Sequence, residues 1–193
     1  MNIVVLAGGL STERDVSLNT GTMVSKALRS KGHNVIMLDV FMGYHEEEED
    51  ITDIFNHTEE ASADVAQIPG EAPDIAQVKA MRKDQSACFF GPNVIKICQA
   101  ADIVFMALHG ENGENGKIQA AFDLFGIQYT GSRYLGSALA MDKGISKKMF
   151  EAAGIPTPHG IAMSKTQRHT PFSETGLTLP VSYTHLTLPT TSR

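Results

Sequence analysis

The residues best equipped for chemistry lie in one run, His109-Gly110-Glu111-Asn112-Gly113-Glu114-Asn115-Gly116-Lys117-Ile118-Gln119-Ala120. An imidazole, carboxylates and amides alternate there with glycines, so several donors and acceptors can converge on one ligand. The run follows Ile103-Val104-Phe105-Met106-Ala107-Leu108, a continuous apolar stretch that predicts a strand buried on both faces. Open α/β sheets bind ligands beyond the carboxyl ends of their strands, so His109 stands where a ligand loop is expected. The same spacing also suits a tight Gly/Asn turn carrying a solvated histidine.

A second polar loop, Gly8-Gly9-Leu10-Ser11-Thr12-Glu13, follows the apolar Asn2-Ile3-Val4-Val5-Leu6-Ala7. Ser11 or Thr12 is expected to cap a helix whose apolar face carries Val16, Thr20, Met23, Val24, Ala27 and Leu28. Lys31-Gly32 stops that helix, and Asn34-Val35-Ile36-Met37-Leu38-Asp39 reads as the second strand. Such a βαβ unit is parallel and right-handed. The glycine pair and Asp39 superficially match a dinucleotide site, but the third spaced glycine is missing. Two loops at one rim of a parallel sheet point to a small-molecule site near Glu13 and His109.

The elements that must carry these loops follow from the remaining punctuation. Residues 45–50 are a contiguous acidic block; calcium ligands would be spaced around a turn, so a solvated excursion to about Gln85 is expected. Ile75, Val78 and Met81 hint at a short amphipathic helix within it. A short strand is expected over 87–90 and a helix from Asn93 through Ala100. A further helix over 116–125 should end on a left-handed Gly126, and a short strand over 128–130 should follow. A helix over 137–153 closes at Gly154 and Pro156, and a strand over 160–163 belongs to a second domain. The fold class expected is α/β, a doubly wound parallel-sheet domain over 1–130 with a second domain beginning over 131–181.

Composition excludes several classes. The 193 residues carry 16 Lys and Arg against 22 Asp and Glu, a net charge of −6, with no basic stripe to hold nucleic acid. Cys88 and Cys98 have no metal-site spacing and are expected as buried free thiols of a reducing cytosol. No signal-peptide pattern opens the chain and no apolar run approaches the ~18 residues that span a bilayer, so a cytoplasmic protein without membrane partners is expected. From about Ser182 the chain turns Thr-rich, just after Gly176-Leu177-Thr178-Leu179-Pro180-Val181 suggests a new strand. Residues 182–193 resemble translated sequencing-adapter read-through, and the chain is expected to be a truncated gene product with a non-native tail.

Three segments together resemble the D-alanine–D-alanine ligase family of the ATP-grasp superfamily. Leu6-Ala7-Gly8-Gly9-Leu10-Ser11-Thr12-Glu13-Arg14-Asp15-Val16-Ser17 is similar to that family's first Gly-Gly motif. His109 to Ala120 is similar to its His-Gly signature, with Asn115 where the family usually has Asp. Tyr129-Thr130-Gly131-Ser132 and then Ser137-Ala138-Leu139-Ala140-Met141-Asp142-Lys143 complete the likeness, which runs to about residue 181.

The resemblance implies a pre-ATP-grasp domain followed by the start of an ATP-grasp domain. It also implies a reaction in which ATP phosphorylates one D-alanine and a second attacks the acyl phosphate, giving a peptidoglycan precursor. In that reading Glu13 holds the first substrate's ammonium group, Ser17 and His109 contact the substrate, and Lys143 contacts ATP phosphates. Magnesium is implied, with its ligands beyond this chain, as is a homodimer at full length; the fragment alone is expected to be inactive. A D-alanine–D-lactate or D-alanine–D-serine ligase and a non-catalytic nucleotide-binding module are the alternatives.

Overall fold

Successive side chains of a strand point to opposite faces, and the first strand of this protein sorts its residues into two cores accordingly. The computed structural model describes residues 1–44, 53–56 and 72–158, and the chain divides into two compact units, Met1–Asp142 and Lys143–Arg193. In the first unit β1 (Asn2–Ala7) lies between β2 (Asn34–Asp39) and β3 (Ile103–Met106), paired in parallel with both. Leu6 stands opposite Leu38 on one side and Met106 on the other. Val4 and Leu6 enter one core with Leu38, Val94, Ile97, Val104, Ile118 and Phe122. Ile3, Val5 and Ala7 enter the other with Val35 and Ala107.

Helices cover both faces, as the doubly wound pattern requires. Leu18, Val24 and Leu28 of α1 (Arg14–Arg29) pack on the second core. On the opposite face lie α3 (Val94–Ala100), which follows α2 (Ile75–Met81), and α5 (Lys117–Phe125), which follows the one-turn α4 (Glu111–Glu114). After Gly126, left-handed at φ +68° as expected, come α6 (Tyr134–Met141) and, in the second unit, α7 (Lys143–Ala152).

Helix α1 docks differently from the expected stripe. Its buried positions are Ser17, Asn19, Gly21 and Ser25, whereas Met23 and Ala27 are exposed. A Cβ on Gly21 would lie 2.8 Å from the Ala7 Cβ and 3.1 Å from the Met37 Cε. Small residues four apart therefore let the helix axis approach the sheet, and the larger Leu18, Val24 and Leu28 flank that close contact. A reading that ranks positions by apolarity passes over such a stripe.

Several other expectations are corrected. The strand over 103–108 ends at Met106, and only Val104 of its four residues is fully buried. Its outer edge is nonetheless partnered: Val104 N donates to Gln128 O at 2.8 Å and Thr130 N donates to Val104 O at 2.9 Å. The strand expected over 128–130 is thereby one parallel bridge, Val104 to Tyr129. The strand expected over 87–90 is absent, because the segment curls around the buried guanidinium of Arg82. That group donates to Cys88 O at 2.6 Å, to Ser86 Oγ at 2.9 Å and to Asp84 Oδ2 at 2.8 Å, and stacks 4.7 Å from the Phe41 ring centroid. Cys88 is consequently exposed and Cys98 alone is buried. The helix over 137–153 is broken at Asp142, whose backbone is extended. Helix α2 forms where expected but has no buried residue. The acidic block 45–50, the strands over 160–163 and 176–181, and the tail 182–193 lie outside the described residues.

Candidate functional site

Two loops leave the carboxyl ends of β1 and β3, and since these strands are neighbours the loops emerge side by side. Ser17, on the first turn of α1 and fully buried, fastens both exits. Its Oγ donates to Ala107 O at 2.8 Å and accepts from Gly8 N at 2.9 Å. Ser17, the serine expected to contact substrate, is placed by the structure as a buried tie between the two strand ends.

The first loop is braced from below by a pair the sequence reading missed. Asp39 at the end of β2 pairs with the Arg14 guanidinium, and its Oδ1 accepts from Phe41 N and Met42 N at 2.9 and 3.0 Å. Arg14 also donates to Gly9 O at 2.8 Å. The superficial dinucleotide-type carboxylate is therefore engaged in holding the glycine turn, and is not presented to a ribose. Both side chains sit at polar ends of regular elements, which was the only signal available in advance.

Ser11 joins the two loops. Its Oγ donates to the His109 carbonyl oxygen at 2.7 Å and accepts from Glu13 N at 3.1 Å. Helix α1 is capped in position by Glu13 itself, without a side-chain cap bond, so the expected Ser11 or Thr12 cap is corrected. The Glu13 side chain rises beside the second loop: a Cβ on Gly110 would meet Ser11 Oγ at 2.9 Å and Glu13 Oε2 at 3.1 Å. Gly110, at φ +77°, is needed there both for its backbone conformation and for that clearance. Glu13 is exposed, so its carboxylate meets solvent at the positive end of α1.

The imidazole of His109 is half-buried between α1 and α4. Its Nε2 lies 3.1 Å from Thr20 Oγ1 and its Nδ1 lies 4.0 Å from Glu114 Oε1. Thr20, expected on the apolar face of α1, instead turns its hydroxyl to the site. A small pocket at this rim is lined by Gly9, Ser11, Phe89, Leu108, His109 and Asn112. Phe89 reaches it because the Arg82-centred turn aims the ring over Gly9, with a Cβ on that glycine 3.8 Å from the Phe89 ring. Asn115 accepts from Lys117 N at 3.1 Å through Oδ1, a bond that the usual Asp would also make. Gln119, buried beneath α4, donates to Gly113 O at 2.7 Å and so holds the loop from inside.

Lys143 opens α7 in the second unit and is exposed. Among the described residues no group of three or more His, Cys, Asp or Glu is arranged to hold a metal ion. No helix among them is long and apolar enough to cross a membrane. Chemically, the rim offers a carboxylate for a cationic group, an oriented imidazole, and an apolar wall at Phe89 and Leu108.

The family model described as D-ala D-ala ligase N-terminus matches residues 2–132. The chain is 45% identical over 160 residues to the D-alanine–D-alanine ligase of Lacticaseibacillus casei (strain BL23), covering 81% of this chain and 43% of that protein. It is 47% identical over 158 residues to the ligase of the same name from Pediococcus pentosaceus, covering 81% and 44%. Among solved structures, the Bacillus anthracis D-alanine–D-alanine ligase complexed with ATP superposes with a TM-score of 0.57 at 26% identity, over 91% of this chain and 42% of that one. The chain spans less than half the length of these relatives. The match over residues 2–132, with both loop motifs inside it, places this protein in the D-Ala–D-Ala ligase amino-terminal family.

Proposed function

We propose that this chain is the amino-terminal part of an ATP-dependent ligase that joins two molecules of D-alanine into a dipeptide for peptidoglycan, in the cytoplasm and as a homodimer at full length. The observation that carries the reading is the juxtaposition of the Glu13 carboxylate with the His109–Gly110 loop, held by Ser11. A carboxylate there suits the ammonium group of an amino acid through a charge-assisted hydrogen bond, while Phe89 and Leu108 suit a methyl group. His109 orders the pocket, Ser17 holds the loop exits, and Lys143 supplies a compact positive charge for ATP phosphates. The names of the relatives support ATP and D-alanine as substrates.

In the proposed reaction a carboxylate oxygen of the first D-alanine attacks the γ-phosphorus and ADP leaves. The amine of the second D-alanine, having lost a proton, then attacks the acyl carbon and inorganic phosphate leaves. Magnesium would neutralise phosphate charge in such a transfer.

A chimera tests the reading: residues 1–158 joined to the remaining length of the Lacticaseibacillus casei relative, assayed for phosphate release that depends on D-alanine. Turnover is expected, and Glu13→Gln should raise the KM for D-alanine by about 10- to 150-fold, the worth of one hydrogen bond to a charged group. A folded chimera without D-alanine-dependent turnover, or one indifferent to Glu13→Gln, would overturn it.

A further inference from the structure

Both nitrogens of the His109 ring face a neighbour, and the two neighbours differ in what they can do. Glu114 presents a carboxylate oxygen 4.0 Å from Nδ1. That is beyond hydrogen-bond reach, but a carboxylate so near favours a proton on the nitrogen facing it. Thr20 presents a hydroxyl 3.1 Å from Nε2, and a hydroxyl can donate or accept.

We propose that Thr20 is a positioning residue for His109: its hydroxyl donates to Nε2 and, with Glu114 opposite, holds the neutral ring in the Nδ1–H form. The two partners come from different elements, Thr20 from the second turn of α1 and Glu114 from α4. The ring is therefore pinned between the helix that starts at Glu13 and the turn that follows Gly110. Ser11 fixes the backbone of the same residue through its carbonyl oxygen, so main chain and side chain of His109 are both oriented by the first loop and its helix. As a consequence Nε2 is occupied as an acceptor, and the ring meets a ligand as a fixed wall. A free proton acceptor at that nitrogen is not available.

This extends the reading of His109 as a pocket residue, but it is tested on the 193-residue chain without substrate, so it stands or falls separately from the activity. The measurement is the pair of ring ¹⁵N shifts of His109 in a long-range ¹H–¹⁵N spectrum at a pH where the ring is neutral. The signal is assigned by its loss in His109→Gln. The Nδ1–H form is expected to predominate. Thr20→Val should move the ratio of the two forms by about fivefold towards Nε2–H, the worth of one ordinary hydrogen bond, and Thr20→Ser should restore it. The Gly8 amide signal, which reports the buried Ser17 tie, should be unmoved in both variants and so certify the fold. A predominant Nε2–H form in the parent chain would overturn the proposal, as would a Thr20→Val variant, folded by the Gly8 criterion, with an unchanged ratio. A Thr20→Val variant that loses the Gly8 signal leaves the parent tautomer and the Thr20→Ser variant to decide: Thr20→Ser must match the parent.

Discussion

The Ser11 hydroxyl and the His109 carbonyl oxygen, 98 positions apart in sequence, are 2.7 Å apart in space. One short polar side chain thus sets the spacing between the loop that carries Glu13 and the loop that carries the imidazole. Ser11→Ala should lower stability by about 1 kcal/mol, an ordinary net hydrogen bond at a half-buried site. It should also speed amide exchange at Glu13, whose N–H the same oxygen accepts. Urea unfolding and hydrogen exchange check the two outcomes, and an unaltered Glu13 amide would contradict the tie.

Ser17→Ala should cost more, about 2–4 kcal/mol in urea unfolding, because it strands a buried amide and a buried carbonyl together. A loss no larger than that of Ser11→Ala would show that the Gly8 and Ala107 groups find other partners.

Gly21→Val should destabilise by about 1–3 kcal/mol through overpacking. The first added carbon already falls 2.8 Å from the Ala7 Cβ, and the backbone of a central strand cannot yield as a flexible side chain does. The midpoint of urea unfolding should move while its slope does not; an unchanged midpoint would mean that α1 rides off the sheet at little cost.

The two thiols should react in sequence. Burial pushes the Cys98 thiol up to about 12, and the thiolate is the nucleophile, so in the folded chain iodoacetamide at neutral pH should label Cys88 alone. The second label should appear only in denaturant, as mass spectrometry would show. Labelling of Cys98 in the native protein would contradict its burial.

Legibility differed by element for physical reasons. The run of β1 was plain because a central parallel strand is a continuous apolar segment, and the left-handed Gly126 was plain because its position dictates the residue. The face of α1 was misread because close helix–sheet contact there selects serine and glycine over leucine. The curl over 82–90 was unreadable because it depends on where one arginine is buried relative to Phe41, a long-range fact with no local period. In the site, Glu13 and His109 could be named from their places after strands. The roles of Ser17, Arg14 and Thr20 required the distances.

Acid should loosen the segment around Arg82. The Arg82 hydrogen bond, aided by Ser86, holds the Asp84 carboxyl below its usual value of 3.8. A lowered folded value means that the stabilisation is complete above the unfolded value and is lost as pH falls through the folded one. Amide exchange at Ser86, whose N–H donates to Asp84, should therefore accelerate below about pH 4 beyond its intrinsic dependence. Asp84→Asn should remove that extra dependence, and a pH-independent Ser86 amide in the parent chain would contradict it.

The pairing of β1 directly with β3 has a consequence for how the protein can vary. Both loops of the candidate site hang from adjacent strands, and among the described residues the polypeptide joining β2 to β3 meets the rim near its two ends, at Val40 and Phe89. Loop closure costs only about 0.6 kcal/mol more for each doubling of length, and an insertion between Phe55 and α2 would leave Ser11 opposite His109. Members of this family can therefore be expected to differ most in length between the second and third strands. A domain inserted there would be tolerated where a single residue added between Gly8 and Glu13 would not.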